Sequence, residues 1–245
     1  MDLIRFTLIT ESNCLIGNQT TPFSTGGVDQ STLVDNSGYP MISGSAFKGA
    51  VRNIYRENRD KFNATKKYME EVFNEILSKY DALISEYEND CNPNQDKIDQ
   101  LKNIIVKIKQ KQAGDIPEYI FGIEELNNTP KFYFYDIKVK DKRNNIRDYF
   151  IVDMKNTIEE KENKLESKPR IYKCIRPGVE FEGVIRFNES GFSSNELRQQ
   201  KTQILEDLKK ALLLFNDGFY GIGNSKSRGY GNIRITIKTG DSHDI

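Results

Sequence analysis

Two stretches of the sequence combine residue types that suit contact with phosphate. The first, residues 218–231 (GFYGIGNSKSRGYG), places five glycines among Ser225, Lys226, Ser227 and Arg228. Glycines let a backbone approach an anion closely and aim several N–H groups at it, while Lys, Arg and Ser add charge and donors. It is not a P-loop, because no GxxxxGK[ST] order follows a strand. From this stretch alone, phosphate contact and a flexible helix-to-strand connection are equally good interpretations.

The second stretch is residues 43–52 (SGSAFKGAVR), which predicts the start of a helix. The free N–H groups and the dipole of a helix N-terminus favour an anion. Lys48 and Arg52 are four residues apart and so share one helical face, while Phe47 and Val51 take the inner face. The pattern suits an RNA backbone. An ordinary capped surface helix with solvated cations explains it as well when the motif is taken alone.

Several kinds of chemistry are disfavoured by what the sequence lacks. There is one histidine, His243, and the three cysteines (Cys14, Cys91 and Cys174) are scattered without a CxxC pair. Ser-His-Asp triads, paired-histidine ribonuclease sites and most zinc sites are therefore improbable, and we expect reduced thiols. Any catalysis must come from carboxylates, Lys, Arg, Tyr or a bound cation.

Charge and hydropathy patterning indicate the kind of partner and the cellular compartment of the chain. Lys plus Arg number 36 and Asp plus Glu number 36, so the chain has no net positive charge to attract nucleic acid. Any nucleic-acid binding must therefore come from local basic patches. No apolar run approaches the roughly 18 residues needed to cross a bilayer. Residues 1–20 lack the pattern of a secretory signal. We expect a soluble, cytoplasmic protein with no membrane partner.

Alternation and helical periodicity predict the elements that must position these stretches. Charged residues 60–112 are predicted to be two solvated antiparallel helices, interrupted at 89–95. The other predicted elements are strand 3–10, loop 11–43, helix 45–57, strand 131–140, an irregular charged segment 141–176, strand 179–187, helix 194–215 and strand 230–238.

Without its insertions, this order is βαββαβ, which predicts an α+β fold of the ferredoxin-like (RRM-like) class. We expect one domain spanning residues 1–245. Its predicted parts are a core of about 1–56, 126–140 and 177–240, a helical insertion of about 57–125, and a thumb-like insertion of about 141–176.

Taken together, the two motifs resemble the RAMP superfamily of CRISPR-associated proteins. GSAFKGAVR is similar to its G-S-S-hydrophobic-K-G-x-x-R element, and GIGNSKSRGYGNIRI to its C-terminal glycine-rich loop and strand. The strand at 132–139, with Asp136, also occupies the expected place. GGVDQSTLVDNSGYPMISGSAFKGAVR most resembles the repeated, Cas7-like backbone subunit of type III (Csm or Cmr) effector complexes. The resemblance covers about half the chain.

The resemblance implies a subunit that polymerises along CRISPR RNA and cuts the bound complementary target RNA. Asp29 matches the acidic residue required for metal-dependent cleavage, so it is the implied catalytic and metal-binding residue. An apolar thumb residue, Met154 or Ile158, would wedge into the guide–target duplex. The implied RNA-binding residues are Ser45, Lys48, Arg52, Gly221, Gly223, Ser225, Lys226, Ser227, Arg228 and Gly229, with Lys168, Arg170, Lys173 and Arg176 in the thumb. Implied partners are CRISPR RNA, target RNA, copies of this chain and other effector subunits.

Elementary chemistry agrees with this role. Without a usable histidine, an RNA 2′-hydroxyl can still attack its own phosphate when the duplex is distorted into an in-line geometry. One carboxylate can then hold Mg²⁺ or another divalent cation, or orient the nucleophile. From sequence alone, Asp29 is better explained as a turn residue, and only the resemblance favours a catalytic role. Asp35 is expected to form a turn.

Three alternatives stay open. The chain could be a catalytically inactive scaffold or capping subunit with the same RNA grip. It could be the CRISPR-RNA processing endonuclease that shares the glycine-rich loop, although that relative usually relies on histidine. It could also be a protein–protein module on the same frame. Two departures from the family pattern are residues 11–17 (ESNCLIG) and the thumb residues Ile158, Glu159 and Glu160.

Overall fold

The computed structural model describes residues 3–17, 28–91, 93–114, 116–161, 164–189 and 195–238. Short 3-10 turns connect several of the longer elements. The helices and strands, in chain order, are β1 (Leu3–Thr10), β2 (Gln30–Ser31), β3 (Met41–Ile42), α1 (Gly44–Glu57), α2 (Asn63–Glu88), α3 (Gln95–Gln112), β4 (Lys131–Phe134), β5 (Ile137–Val139), β6 (Phe150–Lys161), β7 (Lys164–Ile175), β8 (Glu180–Asn188), α4 (Asn195–Leu213) and β9 (Ile233–Ile237).

The main sheet has the strand order β3-β5-β8-β1-β9, and β4 also pairs with β8. Every pairing in it is antiparallel, with β1 in the centre between β8 and β9. With β4 and β5 counted as one interrupted strand, β1, β4/β5, β8 and β9 have the order of a ferredoxin-like sheet. The predicted fold class is confirmed.

The core forms where α1 and α4 pack on one face of this sheet. Alternate residues of β1 are buried, as the alternating sequence predicts. Phe6 of β1 stacks on Phe47 of α1 at a ring-centroid distance of 5.3 Å, and Phe47 stacks on Phe215 at 5.7 Å. Gly183 of β8 is required by this packing, since a Cβ there would lie 2.3 Å from the Phe6 ring.

The predicted pair of helices is confirmed as α2 and α3, which run antiparallel. Gln112 of α3 bonds to Asn74 of α2, and Lys102 bonds to Glu88. The first half of α2 is not a solvated face, because Tyr68, Met69, Val72, Phe73 and Ile76 join the main core. Only the distal part of the hairpin relies on a small cluster of its own, Ile84, Ile98 and Ile105.

A buried carboxylate from α4 holds the start of α2. Asp207 accepts hydrogen bonds from the Thr65 backbone N–H at 2.9 Å and the Thr65 hydroxyl at 3.1 Å. We expect Asp207→Ala to lower the free energy of unfolding by about 1.5–3 kcal/mol, since two donors lose a charged acceptor. Urea denaturation measures the change. Glu206→Ala is the matched control: Glu206 is exposed, pairs with Lys209, and should matter by less than about 0.5 kcal/mol.

Three predicted boundaries differ from the structure. The strand predicted at 131–140 is interrupted at Tyr135 and Asp136, because the Asp136 carboxylate turns to accept the Gly44 N–H. The last strand starts at Ile233 rather than 230, since Gly231 has a positive φ of 81° and ends the preceding loop. Within the loop predicted at 11–43, two short strands, β2 and β3, are formed.

The prediction of an irregular segment at 141–176 is wrong. Residues 150–175 form a long hairpin in which β6 and β7 pair from Phe150–Ile175 to Lys161–Lys164. With β2 added beside β7, the hairpin makes a second three-stranded sheet. Its many charged residues obscure the alternation that residues 152–155 (VDMK) show. We call β6 and β7 the thumb hairpin.

The cysteines are free, with Cys14 and Cys174 buried and Cys91 exposed. Burial raises the pKa of the Cys14 thiol to about 12, so it is unreactive at neutral pH. His243 lies outside the described residues. Among the described helices, none is both long enough and apolar enough to span a bilayer.

Candidate nucleic-acid interface

Asp29 is attached to the base of the thumb hairpin. Its backbone N–H donates to the Ile171 carbonyl at 2.9 Å, and its carboxylate Oδ2 accepts the Ile171 N–H at 2.6 Å. The chain then continues as β2, parallel to β7, with Gln30 opposite Tyr172. The side of Asp29 away from Ile171 is exposed to solvent. The structure therefore gives this carboxylate a fixed position on the hairpin.

The glycine-rich loop reaches the same hairpin through Tyr230. The Tyr230 hydroxyl donates to the Asp153 carboxylate, and Lys155 Nζ lies 3.8 Å from the Tyr230 ring centroid. Burial and then the Asp153 contact raise the pKa of Tyr230 above its usual range, so the hydroxyl stays protonated. Beneath it, Tyr230 and Tyr172 pack with Leu15 and Cys174 in a small cluster separate from the main core.

Sequence reasoning missed Asp153 and Lys155 because they fall in the segment predicted to be irregular. Strand alternation was the available signal. Asp153, Lys155 and Arg170 belong to one face of the hairpin, since Asp153 is opposite the buried Tyr172 and Lys155 is opposite Arg170. That face is the one turned toward the glycine-rich loop.

The glycine-rich loop exposes a short polar turn. Lys226, Ser227 and Arg228 form an exposed 3-10 turn, which begins after Ser225 at a positive φ of 62° and ends at Gly229 with φ 80°. A Cβ on Gly229 would meet nothing within 4 Å, so its surroundings are open. The turn thus presents two cations, a hydroxyl and an accessible backbone on one protrusion.

Gly221 and Gly223 have a different reason to be glycine. A Cβ on Gly223 would lie 2.3 Å from the Leu15 carbonyl oxygen, and one on Gly221 would lie 3.1 Å from the Gly231 carbonyl oxygen. The loop is bound to the segment after β1 by hydrogen bonds from the Asn224 N–H to Leu15 and from the Gly231 N–H to Asn13. Their packing against the chain accounts for both glycines, and their RNA contact stays a prediction.

The predicted thumb residues lie on different parts of the hairpin. Arg170 is exposed, Lys173 places its Nζ 4.2 Å from the Phe150 ring centroid, and Arg176 follows the end of β7. Lys168 pairs with Thr157 in the backbone ladder, and its side chain and that of Ile158 lie outside what is described. On the face opposite Arg170, Val152 and Met154 are 59% and 67% exposed, which suits an apolar wedge.

The N-terminus of α1 is satisfied by this chain's own groups. Ser43 accepts the Ala46 N–H, the Gly44 N–H donates to Asp136 Oδ1 at 2.8 Å, and the hydroxyls of Ser43 and Ser45 lie 3.2 Å apart. Ser43 is therefore the N-cap residue of α1. A carboxylate already occupies the position where an external anion was expected, and Ser45 remains exposed beside it.

Lys48 and Arg52 lie farther along α1, in a strongly basic region. Burial, followed by the positive charges of Arg52 and Lys131, lowers the pKa of Lys48. Arg52 Nε bonds to the buried Glu118 carboxylate at 3.4 Å, and Arg56 and Arg59 contact the same carboxylate at 3.1 and 3.5 Å. Glu118 was not predicted, since nothing in the local sequence distinguishes it from a surface glutamate.

The structure therefore separates the predicted residues into two groups. Asp29 and the 221–231 loop both contact the thumb hairpin, Asp29 at Ile171 and the loop through Tyr230 at Asp153 and Lys155. In the described part of the chain, no hydrogen bond or ion pair joins Lys48 or Arg52 to the hairpin or to this loop. Just after α1, the Asn58 side-chain amide donates a hydrogen bond to the Tyr220 hydroxyl at 2.6 Å.

A divalent cation at Asp29 would receive few ligands from the protein. No cluster of three or more His, Cys, Asp or Glu side chains suited to a metal occurs among the described residues. Asp29 Oδ2 already accepts an N–H, which leaves Oδ1 as its available ligand. Mg²⁺ is often held by one or two carboxylates with waters and substrate phosphates, so the residues fit an ion completed by RNA and not a preformed metal centre.

The structure combines a ferredoxin-like sheet with an exposed basic turn and a long β-hairpin. The model of the RAMP superfamily matches residues 7–234, and the chain belongs to this superfamily. No curated protein matches the sequence significantly.

A solved structure of another protein shares this fold. A chain in the cryo-EM structure of the type III-B Cmr-beta complex bound to cognate target RNA aligns with a TM-score of 0.52 and 17% identity, over 96% of this chain and 59% of that one. This chain thus spans about three fifths of that protein. A chain of the apo Cmr-beta complex aligns at a TM-score of 0.48 and 10% identity, over 96% of both chains.

Proposed function

We propose that this chain is a CRISPR RNA-binding backbone subunit of a type III effector complex that cleaves guide-bound target RNA through Asp29. The observation that carries the proposal is the attachment of Asp29 to the thumb hairpin, the same hairpin that the glycine-rich loop contacts through Tyr230. Two findings support it: the chain belongs to the RAMP superfamily, and it shares its fold with a chain of a Cmr complex whose structure was determined with target RNA bound to the complex.

Different parts of the chain have different roles in this proposal. The Lys226–Arg228 turn and the basic face of α1 contact the sugar–phosphate backbone of the guide, which fixes register without reading sequence. The apolar face of the thumb hairpin at Val152 and Met154 unstacks the guide–target duplex. Base pairing with the guide selects the target, so this chain needs no base-specific contacts.

Cleavage then requires that a distorted target nucleotide lie next to Asp29. Its 2′-oxygen attacks the adjacent phosphorus and the bond from phosphorus to the 5′-oxygen breaks. The released 5′-oxygen takes a proton from water, which gives a 2′,3′-cyclic phosphate and a 5′-hydroxyl. Asp29 Oδ1 accepts the hydroxyl proton or orients the hydroxyl, while the Ile171 N–H holds the other oxygen in place. A divalent cation would stabilise negative charge on the phosphate.

Salt dependence of RNA binding tests the proposed grip. Lys226 and Arg228 are exposed and have no ion pair among the described residues, so both are available for phosphate. Replacing either by Ala should weaken binding of any single-stranded RNA and reduce the slope of log K against log salt by about 1. Fluorescence anisotropy over a salt series measures this slope. Lys140→Ala is the matched control, because Lys140 is paired with Glu180.

The absence of a preformed metal cluster among the described residues favours one alternative, an inactive scaffold subunit. A scaffold would show the same salt dependence and assemble on guide RNA, but the assembled complex would leave target RNA intact in Mg²⁺. Unchanged salt slopes in both variants would contradict the RNA grip itself.

A further inference from the structure

The face of the main sheet opposite α1 and α4 carries no covering element in the described structure. Exposed side chains of β1, β8 and the β4–β5 break lie there. Leu3 of β1 is opposite Arg186 of β8, and Arg186 is opposite Tyr133 of β4. Tyr133 and Tyr135 are 42% and 51% exposed. Arg186 thus lies between Leu3 and the Tyr133 ring on this face, and Tyr135 follows at the β4–β5 break.

A shallow depression of about 490 Å³ lies on this face. Leu3, Tyr135, Val184 and Arg186 line it, together with Lys138, Val139, Asp136 and Glu182. Tyr135 is held at its rim because its backbone N–H donates to the Val184 carbonyl at 3.3 Å. The surface therefore offers an apolar floor with an aromatic ring and a planar cation at its edge.

The charges of this face favour an anionic strand. Around the depression lie Arg5, Lys138, Arg186 and Lys238 against Glu182 and Asp136, an excess of two positive charges. Glu182 is bound by Lys238, and Asp136 Oδ1 is committed to the Gly44 N–H. Arg5 and Arg186 form no ion pair with any described residue. A protein partner with a neutral or basic surface would leave the positive charges of Arg5 and Arg186 unpaired.

From this surface we propose a second RNA-binding site, distinct from the Asp29 and glycine-loop region, that takes single-stranded RNA by stacking bases on Tyr135 and Tyr133 and pairing phosphates with Arg186 and Arg5. Aromatic rings and guanidinium planes on an open sheet are a common platform for unpaired bases, and stacking tolerates any sequence. The site suits an unpaired segment of an RNA whose paired part lies elsewhere. It does not depend on cleavage by Asp29.

The test uses the full chain and a short oligouridylate containing 4-thiouridine. Ultraviolet crosslinks should map to the peptide that contains Tyr133 and Tyr135. Tyr135→Ala should weaken binding by roughly 5- to 140-fold, the range of one lost stacking contact, and Tyr135→Phe should retain affinity. A strand of the same length without bases should bind wild type and Tyr135→Ala equally. Tyr87→Ala, a half-buried tyrosine on α2, is the matched control.

Several results separate this proposal from the proposed function. If Lys226→Ala and Arg228→Ala weaken binding while Tyr135→Ala and Tyr133→Ala do not, the sheet site is overturned and the loop grip stands. If Tyr135→Ala changes assembly with protein subunits but leaves RNA affinity and crosslinks unchanged, the face is a protein interface and the proposal is wrong. If the tyrosine variants lose RNA while the loop variants do not, the sheet site stands alone.

Discussion

Asp29→Asn in an assembled effector complex should lower the rate of target RNA cleavage by about 100-fold or more, with guide and target binding unchanged. Loss of one group that handles charge in a transition state commonly has an effect of this size. Asparagine keeps an oxygen that can accept the Ile171 N–H, so the local structure should be retained while the negative charge is removed. The measurement is single-turnover cleavage of a guide-complementary RNA in Mg²⁺.

Asp35→Asn is the matched control for this experiment. Asp35 lies on the same segment, but its Oδ1 accepts the N–H groups of Ser37 and Tyr39 at 2.8 and 3.0 Å and so forms a turn. Its replacement should leave the cleavage rate unchanged. Wild-type products should be regularly spaced and should disappear in EDTA. Equal rates for wild type and Asp29→Asn would move the chemistry to another residue or subunit.

The second large effect is expected at the two glycines of α1. Gly44→Ala should lower the free energy of unfolding by about 3 kcal/mol, because its Cβ would lie 2.2 Å from the Phe134 carbonyl oxygen and neither backbone can move freely. Gly49→Ala should instead raise it by about 0.5–1 kcal/mol, because a Cβ there meets nothing within 4 Å and alanine favours the helix.

Urea denaturation of both variants tests this difference, and near-ultraviolet circular dichroism verifies that each one folds. The pair shares one helix and one substitution, so helix propensity alone would shift both stabilities in the same direction. A Gly44→Ala protein as stable as the Gly49→Ala protein would show that α1 can move away from β4 at little cost. It would also contradict the close approach on which the interruption between β4 and β5 depends.

Local patterns were sufficient for much of the fold. Alternation in β1 and β8 and helical spacing in α1, α2 and α4 each correspond to burial on one side, so single-residue polarity reports the face directly. The thumb hairpin was missed because its many charged residues obscure the alternation that residues 152–155 show.

The candidate site was less accessible to sequence reasoning because its contacts are long-range. Asp29 meets Ile171 across 142 positions, and Tyr230 meets Asp153 across 77. No local pattern specifies either pair. Likewise, the glycines at 221 and 223 suggested room for phosphate, whereas the structure shows them packed against neighbouring backbone. Glycine content reports a steric requirement without telling whether the neighbour is a ligand or the protein itself.

The double hydrogen bond between Asp29 and Ile171 also makes the carboxylate and the hairpin move together. The contact joins backbone to backbone and backbone to side chain, so the carboxylate cannot swing independently of β7 while both bonds hold. A tilt of the hairpin, as when a duplex presses against Met154, would carry Asp29 along the strand by a related distance. The position of the hairpin would then determine which phosphodiester bond faces the carboxylate. The position of the proposed cut would therefore depend on how far the hairpin tilts.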